Sequence, residues 1–582
     1  MILILGGTTE GRKAAATLDQ AGNSFYYSTL RGEQQISLHN GVEISGAMDT
    51  TEMTNFCKNH DIRLIVDAAH PFASNLHSTV ADSACHLSLP VVRFERIFPP
   101  RDTSVTWIDT YDDLPMIKGT LLAATGVNSI SKLKKHESES LRILYRILNR
   151  ETSLNEASKQ EISPENILFY EEGQDEKRVL EELRPDAILI KESGESGGFS
   201  KKVEAAKELG IQVIALKRPS MPTSFKVVNG EHGLRRMVER LVPDFYPLKS
   251  GLTTGTCATA AAIAQATRLL RCEQPDEVSV ILPNGETISV NVGYADGYAF
   301  VIKDSGDDPD ITDELEIQAT VEQSERFEIC GGAGVGTITV EGFDSPPGSP
   351  AINAGPRKMI EENLRQFSKP LKVTISVPDG ERIASKTFNP RLGITGGISI
   401  IGVSGIIHPY SEEAFIESIH KCVEVASRSG ADRMVINSGA KSERFVKSLY
   451  PALPPQAFVE YGNYIGDTLR FASLESIQRV TLGVMMGKAV KLAAGNLDTH
   501  SRRTTMDRDF IARMLKEAGC PSETIEAAHN LNLARDLWTI IPPSYLAPFC
   551  TTVKSHCLET CRAMFPKGEL TILLIDEEGN IH

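Results

Sequence analysis

Short apolar runs, each stopped by a glycine-bearing turn and followed by helical spacing, set the rhythm of the first 245 residues. Ile2 to Leu5 ends at Gly6-Gly7-Thr8-Thr9-Glu10-Gly11, and Arg12 to Leu18 reads as a helix. The same order returns at Leu64-Ile65-Val66 before Asp67 to Phe72, at Leu121-Leu122 before Thr125-Gly126, and at Ala187 to Ile190 before a glycine-rich turn. Ile211 to Leu216 supplies one more strand. Strands alternating with helices predict parallel, helix-flanked sheets, here as a pair of Rossmann-like halves split near 115–120.

Pro243 and Pro247 interrupt the pattern, so 1–245 is read as one domain and 246–250 as a linker. A Thr-rich turn then runs into an alanine-rich helix, Thr253 to Leu270. Val278 to Leu282, Thr287 to Val292 and Tyr298 to Lys303 follow as antiparallel strands joined by Pro-Asn-Gly and Asp-Gly turns. This makes 251–390 an α+β part. From 391 to 582 helices again alternate with strands such as Arg433 to Ile436 and Val480 to Val484, an α/β part.

With 582 residues, 41% hydrophobic and 24% charged, the chain has the composition of a multidomain globular protein. Its net charge of -15 argues against nucleic acid and against an anionic membrane surface. No run reaches the roughly 18–20 apolar residues of a membrane span, and the opening apolar run is too short for a signal peptide. Ten irregularly spaced cysteines read as reduced thiols, so a cytoplasmic location is expected. Cys550, His556, Cys557 and Cys561 lack zinc-ligand spacing, and no metal site is assigned.

Several turns carry candidate chemistry. Gly6, Gly7, Thr8, Thr9 and Glu10 sit where glycine turns cradle a pyrophosphate at a helix N-terminus, although the G-x-G-x-x-G fingerprint is absent; a plain tight turn is the alternative. Arg31, past the second strand, suits a 2′-phosphate or is an ordinary surface charge. His70 lies at a strand's carboxyl edge, and Lys191, Ser193, Gly197, Gly198 and Lys201 belong to a small-residue loop suited to an anion.

The motifs GGTTEGR, VDAAHPFA, VRFER and IKESGESGGFSKKVEAAKELGIQVIALKRP together resemble the precorrin-6A and cobalt-precorrin-6A reductases (CbiJ type) over 1–245. That resemblance implies NAD(P)H-dependent reduction of a macrocycle double bond between two Rossmann-like halves. From their places at strand ends, His70 and Lys191 are the catalytic candidates and Arg93 and Lys201 the substrate-binding ones, with a structural histidine and a bare loop as the alternatives. Thr125-Gly126-Val127-Asn128 and the segment 171–174 depart from the family's pattern, which keeps open a reductase-like module that binds without catalysing.

Over 249–582, GLTTGTCATAAAIAQA, KDSGDDPDIT, GGAGVGTITVEGF, PAINAGPRKMI, KTFNPRLGITGGISIIGVSGIIHPYSEEA and GKAVKLAAGNLDTHSR resemble cobalt-precorrin-5B (C1)-methyltransferase (CbiD type). The resemblance implies S-adenosylmethionine as donor and a corrinoid substrate, with cobalt carried by the substrate. The usual acid-Gly-x-Gly methyltransferase turn is missing, so Gly396, Gly397 and Gly402 are the candidates for close approach to the donor; a tightly packed strand pair is the alternative. A substrate rich in carboxylates calls for local positive charge, and Arg357, Arg391, Lys488, Lys491 and Arg502 fall inside the matching motifs. Thr254 and Thr256 are capping residues that also suit a carboxylate, and His500 is the candidate for moving a proton. The two resemblances concern consecutive reactions, which points to a bifunctional enzyme of the anaerobic cobalamin pathway. Other enzymes of that pathway are candidate partners.

Overall fold

The computed structural model describes every residue except 31, 33–35, 172 and 502 and the side chain of Thr152. Two compact units divide the chain: residues 1–249 with 284–289, and 250–283 with 290–582.

The first unit holds two sheets, one all parallel and one parallel but for an edge where Asn229 pairs antiparallel with Thr287, in a strand that the sequence assigns to the α+β part. One runs in the order Lys226–Asn229, Val91–Glu95, Leu64–Asp67, Ile2–Leu5, Phe25–Thr29, Gly41–Ser45. The other runs Thr106–Ile108, Gln212–Leu216, Ala187–Lys191, Gly119–Ala124, Leu141–Leu148, Ile167–Tyr170. The central strands are continuous apolar runs because helices cover both faces: Ile2, Leu3, Ile4, Leu64, Ile65 and Val66 have no exposed surface. The halves are not two successive stretches of sequence. The second sheet begins at Thr106, and the chain returns at Lys226 to pair Val227 and Val228 with Arg93 and Phe94 of the first sheet.

In the second unit, the strands Gly293–Ala295, Tyr298–Ile302, Glu316–Gln323, Leu371–Ser376 and Glu328–Gly331 form one sheet, antiparallel except for its last pair. Glu316–Gln323 buries alternate residues, as a half-covered strand should, and the helix Thr254–Arg271 packs against it. That helix is buried from Thr254 to Thr267, and its small residues permit the close approach.

A second, all-parallel sheet of the order Phe458–Glu460, Met434–Asn437, Arg479–Met485, Glu569–Ile575 makes the α/β part. The glycine-rich stretch pairs with the α+β part: Ile394–Thr395 with Thr337–Ile338, and Ile406–Ile407 with Gly251–Leu252. Cys550, Cys557 and Cys561 lie inside the apolar core, where burial pushes the Cys550 thiol up to about 11 and Cys561 to about 12. His556 faces Glu517 at 2.8 Å. Among the described residues no helix is long and apolar enough to cross a membrane.

Candidate functional sites

In the first unit the carboxyl ends of strands from both sheets bring one polar cluster together. Thr8 caps the helix Thr9–Asp19, its hydroxyl accepting from Gly11 N–H at 2.9 Å and donating to Ala68 C=O at 2.6 Å. Gly7 takes a left-handed φ of 85° with nothing within 4 Å of a built Cβ, an open cradle beside a helix N-terminus. Gly6 is glycine for another reason: a Cβ there would stand 2.3 Å from the Tyr27 ring, whose hydroxyl accepts from Gly7 N–H. Thr9 accepts from Arg12 at 3.4 Å.

Glu10, in the helix's first turn, is 7% exposed and pairs with Arg96 Nε at 2.9 Å; Ser196 donates to its other oxygen. Arg96 Nη1 donates to Ser193 C=O at 2.8 Å. Glu10, Arg96, Ser193 and Ser196 thus join the ends of strands from the two sheets.

His70 stands beside this group. Phe72 N–H donates to its Nδ1 at 3.2 Å, so the ring proton is on Nε2. Burial, with Arg96 and Lys191 nearby, lowers its pKa to about 3, and the imidazole is neutral at ordinary pH. Lys191 Nζ lies 5.1 Å from the Phe72 ring centroid, and burial lowers its pKa to about 8. A neutral N–H donor and a titratable ammonium therefore stand near one another at the strand ends.

Two sequence-derived candidates in this unit need correction. Arg93 is 1% exposed and spent on Asp67 at 3.0 Å and Glu95 at 3.1 Å, so it holds the fold, and Arg96 is the arginine that joins Glu10 to Ser193. Lys201 projects from the exposed side of its helix. One residue on, Lys202 Nζ reaches Gly197 C=O at 3.2 Å and Gly198 C=O at 3.4 Å. Gly197 packs against Ser193, where a Cβ would come within 2.4 Å of its hydroxyl, and Gly198 opens the helix Phe199–Glu208. Arg31 lies outside the described residues.

In the second unit Arg391, Lys488, Lys491 and His500 gather at the carboxyl edge of the four-stranded sheet, through two acids that the sequence did not single out. Arg391 Nη1 is 3.7 Å from Glu460 Oε2, and His500 N–H donates to Asp498 Oδ1 at 2.9 Å. Burial lowers Lys488 to about 8, with Lys491, Glu460 and Asp498 as its charged neighbours. Lys488 donates to Gly462 C=O, and Lys491 donates to Thr499 C=O at 3.3 Å.

Thr254, Thr256, Gly397, Gly402 and Arg357 make contacts within their own chain. Thr254 and Thr256 hydroxyls donate to Ile401 C=O at 3.2 Å and Gly405 C=O at 2.7 Å, and Gly255 N–H is taken by Ile401 C=O. The helix start is therefore filled by its own chain. A Cβ on Gly397 would stand 2.2 Å from Gly334 O and one on Gly402 2.3 Å from Thr253 Oγ1, so these glycines admit neighbouring segments of this chain. Gly396 alone of the three faces open space. Arg357 donates to Ile352 C=O at 2.7 Å and Pro350 C=O at 3.3 Å. Arg502 lies outside the described residues.

Comparison with known proteins matches residues 1–238 to the family model "Precorrin-6x reductase CbiJ/CobK". Residues 243–409 match "CbiD", and 498–582 match "CbiD, C-terminal domain". A cobalt-precorrin-5B C(1)-methyltransferase of Prosthecochloris aestuarii is 41% identical over 345 residues, covering 56% of this chain and 94% of that protein. The crystal structure of the cobalamin biosynthesis protein CbiD from Archaeoglobus fulgidus is 31% identical, covering 44% of this chain and 83% of that one, with a TM-score of 0.26. A CobK precorrin-6A reductase structure is 18% identical, covering 41% of this chain and 97% of that one, with a TM-score of 0.35. The chain belongs to the cobalt-precorrin-5B C(1)-methyltransferase (CbiD) family and carries a CbiJ/CobK-type precorrin-6x reductase ahead of it, which makes it a bifunctional enzyme of cobalamin biosynthesis.

Proposed function

We propose that the two units carry out successive steps of the anaerobic pathway: methylation of cobalt-precorrin-5B at C1 to cobalt-precorrin-6A, then reduction to cobalt-precorrin-6B. The observation that carries this reading is the pair of family matches, one on each compact unit, to enzymes whose product and substrate coincide. Tethering two active units raises the effective concentration of the second for the first one's product.

The reductase step uses NADPH or NADH as hydride source. The Gly6–Thr9 turn fits its pyrophosphate: Gly7 leaves room for close approach, a capped helix begins there, and Glu10's charge is already compensated by Arg96. His70, held neutral with a proton on Nε2, orients the macrocycle as a hydrogen-bond donor. Lys191 supplies positive charge and a proton at Nζ. Lys202 places a further ammonium against the 197–198 turn.

The methyl transfer uses S-adenosylmethionine, which brings an electrophilic methyl group and leaves little acid–base work to the protein. Lys488 and Lys491 meet substrate carboxylates, Arg391 adds a third positive group on the same edge, and His500 takes up or shuttles the proton released at carbon. Cobalt travels with the substrate.

Paired variants of the full chain test the assignment. His70→Ala or Lys191→Met should stop the NADPH-dependent step and leave methylation intact, while Lys488→Met or His500→Ala should do the reverse. Loss of neither activity in a pair would remove that unit's assignment.

A further inference from the structure

In the four-stranded parallel sheet the chain leaves the inner strand Met434–Asn437 through Ser438-Gly439, enters the helix Ala440–Lys447 and returns at the edge strand Phe458–Glu460. It then crosses to the opposite side, to Arg479–Met485. Successive connections therefore diverge around Met434–Asn437. Outside its carboxyl end lies the switch-point crevice where open α/β sheets bind ligands.

Three observations converge there. Gly439 has φ 149°, and a Cβ on it would stand 3.3 Å from Glu460 Oε1, so the acid ending the second strand lies over the first strand's turn. In nucleotide-binding α/β units, an acid about twenty residues past the glycine turn takes the ribose hydroxyls. Glu460 occupies that position.

Glu443, in the first turn of Ala440–Lys447, is 7% exposed, and its Oε2 makes no hydrogen bond. Arg391 Nη1 stands 2.8 Å from that oxygen and 3.7 Å from Glu460 Oε2, so one guanidinium serves both acids as an ion pair.

Glu443 and Arg391 line a cavity of ≈510 Å³ that runs along the helix past Ala440, Arg444 and Lys447 to Tyr450; Glu460 does not line it and reaches it through Arg391, 3.7 Å away. That lies within the range of about 300–1,000 Å³ that small-molecule sites occupy.

We propose that this crevice binds the methyl donor. Glu460 accepts from the ribose hydroxyls over the Asn437–Gly439 turn, and Glu443 and Arg391 meet the ammonium and carboxylate of the donor's amino-acid end. Inserted into the Arg391–Glu443 pair, a zwitterion offers each ion an opposite charge in place of the other. The glycine-rich stretch at 396–402 is then scaffold, in keeping with the packing of Gly397 and Gly402 against their own chain. This rests on the reading of the second unit as an S-adenosylmethionine enzyme.

Calorimetric titration of the full chain with S-adenosylhomocysteine tests it without turnover. Glu460→Gln and Arg391→Met should each weaken binding about ten- to hundredfold, the scale of a charged hydrogen bond. Lys516→Glu, on an exposed helix position away from the crevice, should bind like the parent. Parental melting temperatures would exclude misfolding, and Arg391→Met serves if Glu460→Gln unfolds. Parental affinity in both variants would overturn the placement, most directly if Gly396→Val abolished binding instead. Failure of the parent protein to bind would overturn the S-adenosylmethionine reading itself.

Discussion

Asp67 Oδ2 lies 2.7 Å from His77 Nδ1, with both side chains almost wholly buried, and His77 Nε2 reaches back to His70 C=O at 3.2 Å. Asp67 Oδ1 meanwhile accepts from Arg93 Nη1 at 3.0 Å and from Ala69 N–H at 3.1 Å. One carboxylate at the end of Leu64–Asp67 thus fixes the turn that carries His70, while Arg93 and Glu95 hold the adjacent strand that carries Arg96.

Breaking this network should be expensive. Arg93→Met leaves the Asp67 carboxylate buried with less compensation, a loss of about 3–5 kcal/mol. Urea unfolding followed by Trp107 in a Trp538→Phe background isolates the first unit's transition, since the chain has 2 tryptophans. An unchanged midpoint would show that the ion network does not hold this turn.

The reductase's alkaline limb should belong to Lys191. Its ammonium is lost as pH rises through about 8, so NADPH-dependent reduction should fall above that value. Stability should move the other way: the unfolded chain keeps this proton up to the ordinary lysine range, so folding gains stability between about pH 8 and the unfolded pKa. Lys191→Arg should carry the activity limb to higher pH. A limb that stays near 8 in this variant would assign it to another group.

His70 should leave no acid limb between pH 5 and 7, because its pKa is lowered to about 3. With the unfolded histidine near 6.5, its contribution to stability is present above that value and lost as pH falls toward 3. His70→Gln should therefore flatten acid destabilisation below pH 6.5, read as the midpoint of urea unfolding against pH. A profile as steep as the parent's would contradict the assignment.

Methylation should show its own limb. Lys488 loses its proton near pH 8, so if it holds substrate carboxylates as proposed, the KM for the corrinoid should rise above that pH with less change in kcat. Lys488→Arg should remove the rise, and a KM flat in pH for the parent would remove Lys488 from the substrate's contacts.

Two glycine substitutions separate packing from binding. Gly397→Ala drives a methyl into Gly334 O, a backbone atom that cannot step aside, and should destabilise the second unit by about 1–3 kcal/mol. Gly6→Ala collides with the Tyr27 ring beside the proposed pyrophosphate turn and should weaken NADPH binding as well as stability. Equal loss of NADPH affinity in both variants would argue against the turn as the nucleotide site.

Much of the fold could be read from local pattern, because apolar runs ending in glycine turns determine both strand position and the following helix. The cluster of Glu10, His70, Lys191 and Ser193 was legible for the same reason: each sits where a strand ends. What the sequence hid were choices made by distant partners. Within VRFER both arginines look alike, but Arg93 is taken by Asp67 and Glu95 of its own sheet, while Arg96 pairs with Glu10. One step of helix phase separates exposed Lys201 from inward Lys202. Gly397 and Gly402 carry the mark of a cofactor loop but serve contacts with Gly334 and Thr253. Gly439 and Glu460 belong to no recognisable fingerprint and meet only because two strands lie side by side.

Two reactions on one chain leave two separate marks on the mass of the product. Anaerobic incubation of the full chain with cobalt-precorrin-5B and S-adenosylmethionine, with and without NADPH, should be followed by mass spectrometry of the corrinoid. Gain of one methyl without NADPH, and of one methyl plus two hydrogens with it, is the expected result. A methyl gain that neither NADPH nor NADH extends would reduce the first unit to a binding module, and an unchanged mass would contradict the account.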